Sequence, residues 1–128
     1  MAKSFLRQGV SLVRSANINI DNGAGTTVDE VLLNSGPSGV RLVRVYFLYE
    51  QIAQAVAAGN FKVGIAVGGA TLVGATAYTD SAAIGDITVA TILQDRVAPN
   101  TTVWLRHTGI AATATGTGKV CIDYVVDE

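Results

Sequence analysis

The chain has 128 residues, enough for one domain core and too few for two. Nearly half of the residues (49%) are apolar and only 15% are charged, which excludes a disordered chain. The net charge of -1 supplies no basic surface for nucleic acid.

No apolar run approaches the ~18 residues that a membrane-spanning helix needs. The apolar positions after Gln8 are broken by Ser11 and Arg14, so no signal segment forms and synthesis in a cytoplasm is expected. Residues 1–8 carry no periodicity and read as an N-terminal arm ahead of a single domain over 9–128. In that arm Phe5 and Leu6 are apolar anchors, and Lys3 and Arg7 are donors. These four are the candidate partner-binding residues.

Beyond the arm, 17 valines and 13 threonines favour β-structure. Alternation is the main signal. Ile18 and Ile20 alternate with Asn17 and Asn19, and Phe61 and Val63 flank Lys62. Val103, Leu105 and His107 alternate with Trp104, Arg106 and Thr108. Val120, Ile122, Tyr124 and Val126 alternate with Cys121, Asp123 and Val125. Glycine- and asparagine-rich turns separate the runs, among them 21–25, 34–39, 58–60, 84–86, 98–100 and 115–118. The resulting strands lie near 10–20, 27–33, 40–49, 60–67, 71–78, 87–93, 102–109 and 119–127. Thr115 to Gly118 reads as the tip of a hairpin between the last two. Eight strands at this spacing predict an all-β fold, an antiparallel jelly-roll-like sandwich. Residues 50–58 contain helix formers and predict a loop with a short helix ending at Gly59. Val40 to Tyr49 is apolar on both faces. Strict alternation would put Val43, Val45, Phe47 and Tyr49 on one face and Val40, Leu42, Tyr46 and Leu48 on the other. A central strand, or one covered by another subunit, would carry that pattern.

Catalytic constellations are sparse. His107 is the only histidine, so one subunit cannot assemble a multi-histidine metal site, and His107 is the one candidate to pair with Cys121 as a base. The lone Cys121 reads as a compact core residue. Asp29 and Glu30 are adjacent and should point to opposite faces of a strand. Gly64 to Gly69 lacks the Lys and Ser or Thr of a phosphate loop. No enzyme activity, cofactor or metal is expected. Trp104, Tyr46, Tyr49, Tyr78 and Tyr124 would bind sugar only if two of them were exposed on one face.

The stretch Pro99-Asn100-Thr101-Thr102-Val103-Trp104-Leu105, a Thr-Gly tip, and then Lys119-Val120-Cys121-Ile122-Asp123-Tyr124 resembles the closing strands of small virion proteins of tailed bacteriophages. The closest class is the head decoration, or cement, proteins. The resemblance implies a capsid decoration protein on the virion surface, bound to the major capsid protein or another virion protein. It also implies self-association, with a homotrimer favoured, and no nucleic-acid or membrane partner. Phage tail, neck or fibre components share this style of sequence. A carbohydrate-binding β-sandwich is the other alternative.

Overall fold

The computed structural model describes residues 9–20, 26–54, 59–109 and 115–127. Ten strands form two packed antiparallel sheets, and no helix occurs among these residues. They are β1 (Ser11–Arg14), β2 (Ile18–Asn19), β3 (Thr27–Asn34), β4 (Val40–Tyr49), β5 (Asn60–Gly64), β6 (Val73–Ala77), β7 (Ile87–Ala90), β8 (Arg96–Val97), β9 (Thr102–Thr108) and β10 (Thr117–Val126). The first sheet has the order β1-β10-β4-β7, with β2 extending the β1 rank along β10 and β8 extending the β7 rank along β4. The second has the order β3-β9-β5-β6.

Counting β1/β2 and β7/β8 as single ranks gives eight. The first pairs with the last, the second with the seventh, the third with the sixth and the fourth with the fifth. This nesting is the jelly-roll order. The expected strands therefore stand, while one connection differs. β9 and β10 lie in different sheets, so Thr115 to Gly118 is a crossing between sheets and not a hairpin tip. There Thr115 bridges to Gln54, and the Ile20 amide donates to the Gly116 carbonyl at 3.0 Å. Residues 50–54 carry no helix; residues 55–58 lie outside the described set.

The inward positions fill the space between the sheets. Phe47, Tyr49, Phe61 and Tyr78 form an aromatic cluster, with Phe47 edge-on to Tyr49 and to Tyr78 at centroid distances of 4.8 Å. Val45, Val63, Leu72, Val73, Val103, Val120 and Ile122 pack around it with no exposure. Removing one such ring, as in Phe61→Ala, costs about 3–5 kcal/mol.

β4 departs from strict alternation. Its register with β10 slips where Asp123 faces Arg44 and Tyr124 faces Leu42, leaving Val43 as the extra residue of a bulge. The slip changes which residues face inward: Val40 and Leu42 join Val45, Phe47 and Tyr49 in the core, and Val43 is left exposed. Tyr46 and Leu48 point to the outer face and are half-buried there.

Candidate functional site

His107 sits on the inward face of β9 and is 1% exposed. Its Nδ1 lies 2.6 Å from the Tyr78 hydroxyl. Burial pushes the imidazole below its usual range, partly offset by the nearby Asn19 carbonyl, and pushes the Tyr78 phenol far upward. Nε2 is buried, and among the described residues the acceptor near it is the Asn19 carbonyl, outside strict hydrogen-bonding geometry.

This ring lies in the wall of a cleft of about 240 Å³, lined by Ala16, Asn17, Ile18, Asn19, Val28, Glu30 and His107. The cleft opens between the β2 edge of one sheet and the β3 edge of the other. Register explains its lining. Val28 pairs with His107 and Glu30 with Leu105, so both share the inward face of β9. Val28 is nevertheless 46% exposed, because the sheets do not close on it. Glu30 reaches across, and its carboxylate accepts the Ala16 amide at 2.8 Å. Asp29 points the other way, as its place in the strand requires. It takes two hydrogen bonds from Arg106, at 2.7 and 2.9 Å, and the guanidinium holds its carboxyl below the usual range.

The other residues singled out in the sequence occupy separate places. Cys121 is fully buried on the outward side of β10, opposite Tyr46 and Arg14, and burial raises its thiol. Arg44 stacks over the Tyr46 ring at 4.3 Å and bonds Asp123 at 3.2 Å. Tyr49 and Tyr78 are core residues, and Tyr124 packs against the core. Trp104 lies on the outer face of the second sheet, and Tyr46 on that of the first. No two of these five rings share an exposed face. The turn at Gly64 to Gly69 brings two backbones together: a Cβ on Gly64 would collide with Gly69.

Lys3, Phe5, Leu6 and Arg7 lie outside the described residues. β1, which follows the arm, starts opposite Tyr124 near the end of β10. The turn at 34–39 lies at the same end of the sandwich, since the Asp127 amide bonds the Gly39 carbonyl at 3.0 Å. Thr26 is at the opposite end, where its carbonyl accepts the Gly109 amide at 2.8 Å.

Sequence reasoning put His107 on a strand but gave it no role, and it missed the cleft. A histidine in the inward phase of Val103, Leu105 and His107 was the available signal. The parts played by Val28, Glu30 and the 16–19 segment depend on pairing between distant strands.

Among the described residues, no three His, Cys, Asp or Glu side chains converge as a metal site. The molecule is a β-sandwich in jelly-roll order with a cleft between its two sheets. Neither a family model nor a curated protein matches the sequence. The fold is similar to that of a chain in the cyanophage Pam1 capsid asymmetric unit, with a TM-score of 0.60 and 21% identity over 93% of this chain and 86% of that one.

Proposed function

We propose that the chain is a non-enzymatic structural protein of a phage virion, and specifically a decoration protein that binds and stabilises the head shell from outside. The observation that carries this reading is the likeness to a capsid chain, which runs through 93% of the sequence and is therefore a likeness of the whole sandwich. The sequence style of 99–124 supports the same assignment independently.

In this reading the partner is the major capsid protein. The arm is the attaching element, with Phe5 and Leu6 entering apolar sites on the shell while Lys3 and Arg7 donate hydrogen bonds. The turn at 34–39 adjoins the start of β1, so arm and turn would meet the shell on one side. With a net charge of -1, long-range steering is weak, and attachment rests on buried area and on several subunits engaging together. A trimer supplies that avidity.

Quantitative protein analysis of purified virions tests the assignment. A decoration protein is present in copy numbers comparable to the major capsid protein. Its absence from virions, or its presence in only a few copies as for a neck or tail part, would overturn the reading.

A further inference from the structure

β7 ends the first sheet, and its backbone leaves one side open. In an antiparallel ladder, alternate residues turn their N–H and C=O groups to opposite sides. The Tyr49 amide donates to the Asp86 carbonyl at 3.0 Å, and the Tyr49 carbonyl accepts the Gly85 amide at 2.8 Å. The Glu50 amide turns the other way, to the Thr117 carbonyl at 2.8 Å. Tyr49, Phe47 and Val45 therefore face β7. Phe47 pairs with Thr88 and Val45 with Ala90, so Thr88 and Ala90 spend their backbone groups on β4. Ile87 and Val89 turn theirs outward. Among the described residues, no strand but β4 pairs with β7. The Ile87 and Val89 side chains stand beside Leu48 and Tyr46 on the outer face, and are 41% and 56% exposed.

This edge is complementary to itself. Set antiparallel across a two-fold axis through Thr88, Ile87 meets the partner's Val89 and Val89 meets the partner's Ile87. The outward N–H and C=O groups of both copies then all find partners. Such an axis stands normal to the sheet and keeps both outer faces on one side, so Leu48 and Ile87 continue into the partner's Val89 and Tyr46 as one apolar row. The ends also match. Ile84 and Leu93, 68% and 64% exposed, lie beyond opposite ends of β7, and antiparallel pairing brings the Ile84 end of one copy to the Leu93 end of the other. On the outer face Glu50 lies two residues past Leu48, and Arg44 two residues before Tyr46. The same pairing sets the Glu50 end against the partner's Arg44 end, so unlike charges face each other at the rim. Glu50 is bonded to Lys119 and Arg44 to Asp123 within their own copy, so neither reaches the rim unpaired. β7 itself carries no charge that would repel a like strand.

We propose that two copies of the chain join their first sheets through β7, Ile87 to Val89, across a two-fold axis. The contact is separate from the arm and does not rest on the virion reading. Where a trimer forms through other surfaces, this edge links a subunit of one trimer to a subunit of the next. β7 is four residues long, so the interface belongs to the small class below about 1,200 Å² and forms at high local concentration.

The test compares the ¹⁵N-labelled full chain at about 20 μM and about 1 mM, which bracket a weak contact. The mass from sedimentation equilibrium should double across this range. The Ile87 and Val89 amides should slow in hydrogen exchange by roughly fivefold, while those of Thr88 and Ala90, bonded to β4, are protected at both concentrations. Val89→Pro removes an outward N–H and leaves the β4 ladder whole, as proline on a sheet edge does. It should abolish the doubling and the added protection at Ile87. Val89→Lys serves as a second blocking variant if proline disturbs the spectrum. Doubling that leaves both amides unprotected would put the contact elsewhere and overturn the proposal. So would two sets of β7 signals, the mark of a head-to-tail contact, or association of both variants equal to that of the native chain. An unchanged mass at about 1 mM also overturns it: the edge is then covered within its own copy if the two amides are protected when dilute, and is left to a strand of a different protein if they are not.

Discussion

At the residue scale, His107 ties the protein's stability to pH. Its folded-state affinity for a proton is lowered by burial, whereas the unfolded chain titrates near 6.5. Above about pH 6.5 both states are neutral and the full stability is present. Below that, the unfolded state takes up the proton first, so stability falls as pH drops until the folded ring titrates too. Urea unfolding at pH 7 and pH 5 should show this loss, and His107→Gln should flatten it. Gly118 presents a steric constraint. It faces the core in β10, where a Cβ would overlap the Leu48 carbonyl and the Phe47 ring. Gly118→Ala should therefore destabilise by about 3 kcal/mol, read as a lower urea midpoint. The inward place of His107 was legible from its alternation with Trp104 and Arg106. The need for glycine at 118 was not, because Phe47 reaches it from a strand 70 residues earlier in the chain.

Strand positions were readable because a half-buried strand repeats every two residues and its turns need residues that tolerate unusual backbone. Every expected span contains a strand. Three features escaped. β8 is two residues long, too short to show a period. The bulge at Val43 breaks the alternation of β4 without any glycine to mark it. The pairing of β9 and β10 with other strands followed from topology, which local pattern does not encode. β7 carries a liability of its own: it is an edge strand reading Ile-Thr-Val-Ala, without charge or bulge, and Ile87 and Val89 are exposed on it. The edge strands of the opposite flank, β1 and β3, carry Arg14, Asp29 and Glu30. Val89→Lys should accordingly leave the fold intact and reduce aggregation on concentration, as read by light scattering. For the arm, deletion of residues 2–8 should leave circular dichroism unchanged and strip the protein from phage shells in a sedimentation assay. Decoration by the truncated chain equal to that of the full chain would move the contact to the turn at 34–39.

For the whole molecule, size-exclusion chromatography with light scattering should report about three times the 13.2 kDa chain mass at micromolar concentration. A monomer would remove the avidity on which the proposed attachment depends. The nested strand order also has a kinetic consequence. Ser11 must find Tyr124, and Thr27 must find Thr108, before either sheet has its edge in place. During translation, β1 and β4 cannot gain their common neighbour until Thr117 to Val126 have left the ribosome. The nascent chain therefore spends most of its synthesis with apolar strands unshielded. Contacts between such distant segments make folding slow, on the scale of milliseconds to seconds, and apolar strands left unpaired for that time favour aggregation.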